Sequence, residues 1–429
     1  MLLNKNRIDS FLETHNIDAL IASSRENTSY LTNFLAVDHV FTKMYGPMPG
    51  SGENFTQVYG VYPRNGNPVL IIPASLYMIM TADESVTENV ITYGKGISLV
   101  SEKIKLDSAA EKKFQSAMKD PATNFENAAL ALSSALKKYS SGRNLGVDLS
   151  DLHSASAAEL ERSGFQVRKA NELFRFIRMV KSPEEVSRLA MAAEINEKGM
   201  QRIFDVARAR GKKSVTERDL MLEYLTKIAS LGGLSGPGWV MTPMGSRGGS
   251  MASPDESKVT EEKKMFWVDV SCSYMGYHAD TGDSASLGKP SEKQKERYDA
   301  VLDAVETSEE TLAPGMKPSE LNNTITKVFE KHGVPRPPTG MGHGIGLEVY
   351  DYPRISAAKG DAVSNPAAIK DDFIQSSIDI PFEEGMVLAL EVPYLMWGWG
   401  GVHAEVTVLL EKSKTRRLVK KQKRYLREL

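Results

Sequence analysis

Four carboxylates and one imidazole, Asp269, Asp280, His343, Glu391 and Glu405, follow one another in apolar, β-rich segments of the second half of this chain. A carboxylate is costly to bury without a compensating charge. A fold that takes these strands into its core must therefore supply a counter-charge, and metal binding is the simplest. Such a set makes a cage for two divalent cations, and a metal pair activates water or polarises a carbonyl.

Local patterns place each residue. MFWVDVS at 265–271 reads as a strand ending near Asp269, and YMGYHAD at 274–280 as a second strand after a short turn, so the two Asp residues could face each other across a hairpin. His343 lies among glycines in GMGHGIGLEVYDYP at 340–353, where close backbone approach is allowed. MVLALEVPY at 386–394 puts Glu391 on the face of Val387 and Ala389. In GVHAEVTVLL at 401–410, alternation sets Val402, Ala404, Val406 and Val408 on one face and His403, Glu405 and Thr407 on the other.

At 429 residues the chain is long enough for two or three domains. A formal charge of -2 gives no reason to expect nucleic acid or an anionic membrane as partner. The single cysteine, Cys272, rules out a disulfide framework within a monomer and fits a reducing compartment, the cytosol. The opening MLLNKNRIDSFLE reads as an amphipathic helix rather than an apolar signal core, and no run of about 18 apolar residues suggests a membrane span.

The first part reads as α/β: a helix at 4–15, a strand at 17–23, a helix or turn near Asn27–Thr32, and a hairpin at 60–73 with Asn65-Gly66 at its turn. A helix at 124–139, the strand NLGVDLS and a helix from Ser154 follow, which implies a mixed sheet covered by helices. The domain boundary falls near Arg178–Pro183, where Ser182 can cap a helix that has Pro183 in its first turn and Glu184 and Glu185 near its N-terminus. Beyond it, helices at about 184–210, 216–230, 291–312 and 318–332 separate groups of strands. The Lys/Arg-rich tail from Lys412 to Leu429 reads as a solvated helix face or frayed end.

The ordered set resembles the dinuclear metal signature of the creatinase/prolidase/methionine-aminopeptidase group: Asp, Asp eleven residues later, His in GHGIGL, Glu, and Glu in GGVxxE. RIDSFLETHNIDALIASSRENTSYLTNF resembles the start of that group's N-terminal domain, and IRMVKSPEE its link into the catalytic domain. The resemblance covers nearly the whole chain. It implies a two-domain α/β protein, a creatinase-like α/β domain at 1–178 followed by an α+β pita-bread catalytic domain at 179–429. It also implies that all five residues are ligands, closest in layout to Xaa-Pro dipeptidase-like members.

The chain departs from the group's peptidases at several positions. Two further histidines of those enzymes are missing: Tyr350, followed by Asp351, stands seven residues after His343, and Ser235 to Val268 contains no histidine, with Met251 near the expected place. The segment after Asp280 reads Thr-Gly-Asp283 where an Arg is common, and His403 replaces the Arg of GGVR. His278 and His403 each lie two residues before a ligand and are candidates to replace the missing imidazoles. Residues 354–380 form a long polar segment suited to a lid, a subunit contact or a surface insertion. Trp239, Tyr350, Tyr394, Trp397 and Trp399 flank the motifs and could wall an apolar or cationic ligand, core packing being the commoner reason for such rings.

The leading expectation is a metal-dependent hydrolase of a C–N bond in a small substrate, an Xaa-Pro dipeptidase or aminopeptidase. Two divalent ions, Mn first and Zn, Co or Fe as alternatives, would lower the pKa of a bound water. Glu391 would serve as ligand and general base, and Tyr350, His278 or His403 could donate to the oxyanion. The alternative is a diverged non-peptidase: a ring-opening amidohydrolase, or a lyase acting on a small onium acid with Asp351 or Tyr350 as base. A non-catalytic binding module is disfavoured by the survival of all five residues. The partners implied are a small molecule or dipeptide and a second copy in a homodimer, in the cytoplasm.

Overall fold

The computed structural model describes residues 2–34, 57–76, 87–95, 112, 120, 122–210, 215–255, 265–338, 341–355, 369–376, 379–419 and 426–429. The chain divides into two compact units, Met1–Ile177 with Lys370–Gln375, and Arg178–Ile369 with Ser376–Leu429.

The first unit opens with α1 (Lys5–Thr14), where the Asn4 side chain accepts the Arg7 N–H and Ile8 and Leu12, one turn apart, are buried. The elements then run β1 (Ala19–Ala22), α2 (Arg25–Thr32), β2 (Tyr59–Pro63), β3 (Val69–Pro73), β4 (Asn89–Tyr93), β5 (Asn124–Phe125), α3 (Ala128–Tyr139), β6 (Asn144–Val147), α4 (Ser154–Arg162), β7 (Gln166–Lys169) and α5 (Asn171–Arg178). The strands form one sheet in the order β5-β4-β3-β2-β1-β6-β7. β2 is antiparallel to both neighbours and the other pairs are parallel, so the sheet is mixed. Its fully buried strand residues pack against Ala131, Leu132, Ala135 and Leu136 of α3. At the β2–β3 turn Asn65 takes φ 59° and the Gly66 N–H donates to Pro63 O at 2.9 Å.

The helix expected at 124–139 starts late. Asn124 and Phe125 extend the sheet beside β4, and the helix begins only after Asn127, whose side chain accepts the Leu130 N–H at 2.9 Å. An N-cap stops a helix from running backwards into residues that helical propensity alone would include.

The second unit begins with α6 (Pro183–Arg210). Its start is a reciprocal cap: Ser182 Oγ accepts the Glu185 N–H at 3.2 Å, and Glu185 Oε2 accepts the Ser182 N–H at 2.7 Å. α7 (Glu217–Ser230) carries the same box in Thr216 and Asp219. Then follow β8 (Leu234–Met241), β9 (Met265–Tyr274), β10 (Tyr277–Ser286), α8 (Glu292–Thr311) and α9 (Pro318–His332). The remaining strands are β11 (Gly342–Gly344), β12 (Asp351–Arg354), β13 (Ile369–Lys370), β14 (Gln375–Ser376), β15 (Val387–Glu391), β16 (Tyr394–Met396), β17 (Gly400–Val402), β18 (Glu405–Leu410), β19 (Thr415–Arg417) and β20 (Arg427–Glu428). Two larger sheets result, β20-β10-β9-β8 and β12-β11-β15-β18-β19, with β13–β14 and β16–β17 as separate two-stranded ribbons.

Two expectations are corrected here. The first site strand does not end near Asp269 but runs on to Tyr274, and the turn into β10 uses Met275 and Gly276 at φ 47° and 82°. The described part of the basic tail is neither a frayed end nor a helix. β19 pairs with β18, β20 pairs with β10, Arg417 forms an ion pair with Glu309, and Arg427 reaches buried Asp283 at 3.3 Å. Of the 354–380 segment, 356–368, 377 and 378 lie outside the described residues. In the first unit, Asp371 accepts the Leu173 N–H at 2.8 Å in the first turn of α5, and Asp372 accepts the Lys169 N–H at 2.7 Å.

Candidate metal centre

Strand register brings the five residues into two rows. On the β9–β10 hairpin Asp269 stands opposite Gly282, and Asp280 stands opposite Ser271. The two Asp residues are therefore diagonal neighbours on one face, not directly opposed. On the other sheet Glu391 of β15 lies directly opposite Glu405 of β18, and His343 of β11 is opposite Ala389, one pair further along the same face. The sheets are tied together beside the site by the Thr407 hydroxyl, which donates to Asp280 O at 3.1 Å.

Glycine lets β11 come this close. A Cβ on Gly342, which has φ 126°, would fall 2.0 Å from Ala389 O, and one on Gly344 would fall 2.0 Å from Tyr352 O. The Nδ1–H of His343 donates to Gly344 O at 2.9 Å, which leaves Nε2 as the lone-pair nitrogen. That Nε2 is 3.7 Å from Asp280 Oδ2 and 3.7 Å from Glu391 Oε1.

The electrostatics are those of a site built for an outside cation. Asp269, Asp280, His343 and Glu405 are buried, and the Glu391 side chain keeps 14% of its surface. Two carboxylates directly opposed on neighbouring strands repel. Burial, with Asp269 and Glu391 close by, pushes the Asp280 carboxyl well above the usual carboxylate range. Burial pulls the His343 imidazole down, so it is neutral at pH 7, the form that binds metal. No described Lys or Arg forms an ion pair with Asp280 or Glu391. Asp280 Oδ1 and His343 Nε2 are buried with no hydrogen-bond partner among the described residues. Two trios offer ligand atoms within 4.8 Å of one another, Asp280–His343–Glu405 and Asp269–Glu391–His403. Donor separations of about 3–4.5 Å are what bonds of about 2.0–2.2 Å to one ion produce, so the residues fit a divalent cation.

A sequence model of metallopeptidase family M24 matches residues 187–412, more than half of the chain and the stretch that holds the whole constellation. The chain belongs to this family. Residues 5–180 match the creatinase/prolidase N-terminal domain, so the creatinase-like domain followed by a pita-bread domain is the arrangement found. The Xaa-Pro dipeptidases of Pyrococcus horikoshii and Pyrococcus furiosus are each 26% identical, over 60% and 61% of this chain and 67% and 69% of theirs. Among solved structures, the prolidase from Pyrococcus furiosus superposes with a TM-score of 0.67 at 18% identity, covering 97% of this chain and 100% of that one. The Xaa-Pro dipeptidase from Bacillus anthracis gives 0.70 at 17% identity, covering 98% of each. The chain is thus a metal-dependent hydrolase of the metallopeptidase type.

The other candidates fall in different places. Tyr350 packs against His343 with ring centroids 4.1 Å apart and the rings tilted by 43°, and it is partly exposed. Burial, reinforced by four of the site carboxylates, raises its phenol far above the ordinary value, so it holds its proton. His403 meets Glu391 at 3.1 Å. Burial works against the charged ring, but Glu391 and Asp269 outweigh it and raise the His403 pKa. The same contact keeps Glu391 below its usual range despite burial. His278 shares the Asp280 face of β10, and its backbone N–H donates to Gly346 O at 2.8 Å.

Asp351 is not brought to the metal residues as a base. Its carboxylate is buried between Lys181 Nζ at 3.1 Å and Arg178 at 3.4 Å, and these cations overcome burial to hold it below the usual range. With Asp351 neutralised and Tyr350 protonated, the elimination reading has neither of its proposed bases. Met251 is exposed. Tyr394 is core, against Phe329 and Trp399, with Arg297 over both Tyr394 and Trp399. Trp397 is 85% exposed. The side chain of Trp239 lies outside the described residues. Sequence reasoning missed Gly282, where a Cβ would fall 2.2 Å from His403 Nδ1. The signal was a glycine inside a strand, which marks close approach.

Proposed function

We propose that this protein is an Xaa-Pro dipeptidase that uses two divalent ions. The observation that carries the proposal is the directly opposed pair Glu391–Glu405, with Asp280 and His343 around it and no described Lys or Arg in an ion pair with Asp280 or Glu391. Asp269, Asp280, His343, Glu391 and Glu405 would hold the ions. When bound, such a pair lowers the pKa of water and polarises a carbonyl.

The chain's own residues take the remaining roles. Glu391 is the general base: its carboxylate is kept ionised by His403, and its side chain keeps contact with solvent. Tyr350, protonated and seated over His343, donates a hydrogen bond to the oxygen that becomes negative as the peptide bond is attacked. His278 is a further donor on the same strand face as Asp280.

The carboxylate-rich set favours manganese, with zinc, cobalt or iron admitted by the imidazole. A homodimer in the cytoplasm completes the reading, the dimer carried over from the family resemblance and the compartment from the single cysteine. None of the described helices is long and apolar enough to cross a membrane. The test is proline release from a panel of Xaa-Pro dipeptides, with manganese supplied and with a chelator added. Release that the chelator abolishes is expected. No release from protein that holds metal would overturn the peptidase assignment, and small cyclic amides would be the next substrates.

A further inference from the structure

Building on the metal-centre reading above, we propose that His403 is a sixth ligand, so that each of the two metal positions carries one imidazole. Asp269, Glu391 and His403 form a trio with ligand atoms within 4.8 Å of one another, matching the trio Asp280, His343 and Glu405. His403 Nε2 is 3.1 Å from Glu391 Oε2. Two donor atoms at that separation, each about 2.1 Å from one ion, subtend roughly a right angle, an ordinary bite.

His403 is anchored through its backbone: its amide N–H donates to Ser284 Oγ at 2.7 Å, and the Ser284 hydroxyl donates back to His403 O at 2.9 Å. Trp267 packs edge-on against it at 5.9 Å, and the residue is fully buried. Gly282 makes the space, since a Cβ there would fall 2.2 Å from Nδ1. That glycine is central in a ten-residue strand and has no left-handed φ, so neither a turn nor a bulge accounts for it.

Acceptors face both ring nitrogens. The Val268 carbonyl lies on the Nδ1 side, outside hydrogen-bonding geometry, and Glu391 lies on the Nε2 side. A neutral ring with its proton toward Val268 presents the Nε2 lone pair to a carboxylate, an arrangement that a cation between them satisfies. A nitrogen ligand at each position also moves the preference from manganese toward cobalt or zinc.

The test loads metal-free protein with Co(II) and counts the exchangeable imidazole N–H resonances that carry the large contact shift transmitted through a Co–N bond, as opposed to the smaller through-space shift of a neighbouring ring. Of the seven histidines, two are expected to shift, those of His343 and His403. One shifted signal with two bound equivalents would overturn the proposal and leave His403 a hydrogen-bond partner of Glu391. His403→Gln is expected to remove one of the two signals and weaken one Co(II) equivalent by about tenfold or more. Gly282→Ala, which keeps the imidazole but displaces it, is expected to do the same. An unchanged Co(II) titration in folded His403→Gln would overturn the proposal, and the wild-type count decides should either variant fail to fold. Wild-type protein that binds no Co(II) would overturn both this proposal and the metal-centre reading.

Discussion

Two groups of buried charges in the second unit make opposite use of the same residue types. Around Asp351 the chain supplies its own cations: Lys181 and Arg178 flank the carboxylate, Arg178 also reaches Glu348 at 3.2 Å, and Glu185 takes the Ser182 N–H and the Tyr277 hydroxyl. Around Asp280 no described Lys or Arg forms an ion pair with it or with Glu391: four carboxylates gather about two imidazoles, His343 and His403. The first group is neutralised from within. The second makes folding pay a desolvation and repulsion cost that a bound cation would recover. Burial of acids is therefore no guide to a metal site by itself; what distinguishes them is whether the chain brings a base along.

The sharpest way to break the contrast is to remove one acid from each group. Asp280→Ala or Glu405→Ala should abolish bound metal and activity together, activity falling about a thousandfold or more, the several kcal/mol a Lewis acid contributes. Metal analysis and peptide-hydrolysis rates check this, and full activity without metal would sink it. Asp351→Asn should leave metal content unchanged but cost about 3–5 kcal/mol of stability, because Lys181 and Arg178 are left buried without their shared partner. Denaturant unfolding of that variant would expose the error if its midpoint matched the wild type.

A smaller effect is expected at Glu185, which burial pushes up to about 7 from 4.5. The folded state then holds this proton more tightly than the unfolded chain, so the contribution is fully present below about 4.5 and is lost as pH rises toward 7. Glu185→Gln should therefore be more stable than wild type at pH 8 by on the order of 2 kcal/mol and lose that advantage near pH 4.5. A pH-independent difference would show that Glu185 titrates normally. The smallest expected change is Tyr350→Phe, with turnover down about tenfold and metal content intact, since one hydrogen bond to a developing oxyanion is lost. Unchanged turnover would reduce Tyr350 to packing.

The order of the five site residues, the long helices and the cap at Ser182 were all legible in the sequence, because each depends on local spacing. The partner of Asp351 was not. Lys181 and Arg178 lie about 170 residues away in the chain, and nothing near Asp351 announces that its charge is already satisfied. The same blindness made the tail look frayed, although Arg427 finds Asp283 across 144 positions. Asn124 and Phe125 carry a helical pattern that the neighbouring strand overrides. The fit of His403 over Gly282 was visible only as a glycine in a strand and a histidine two residues before a ligand.

The central claim is that the carboxylate group is a two-metal site and the lysine-bearing group is not. Equilibrium dialysis of metal-free wild type and Glu405→Ala against Mn(II) tests it most directly. The account predicts two ions per wild-type chain and loss of that binding in the variant. Wild-type protein that binds none, or a variant that still binds two, would contradict it.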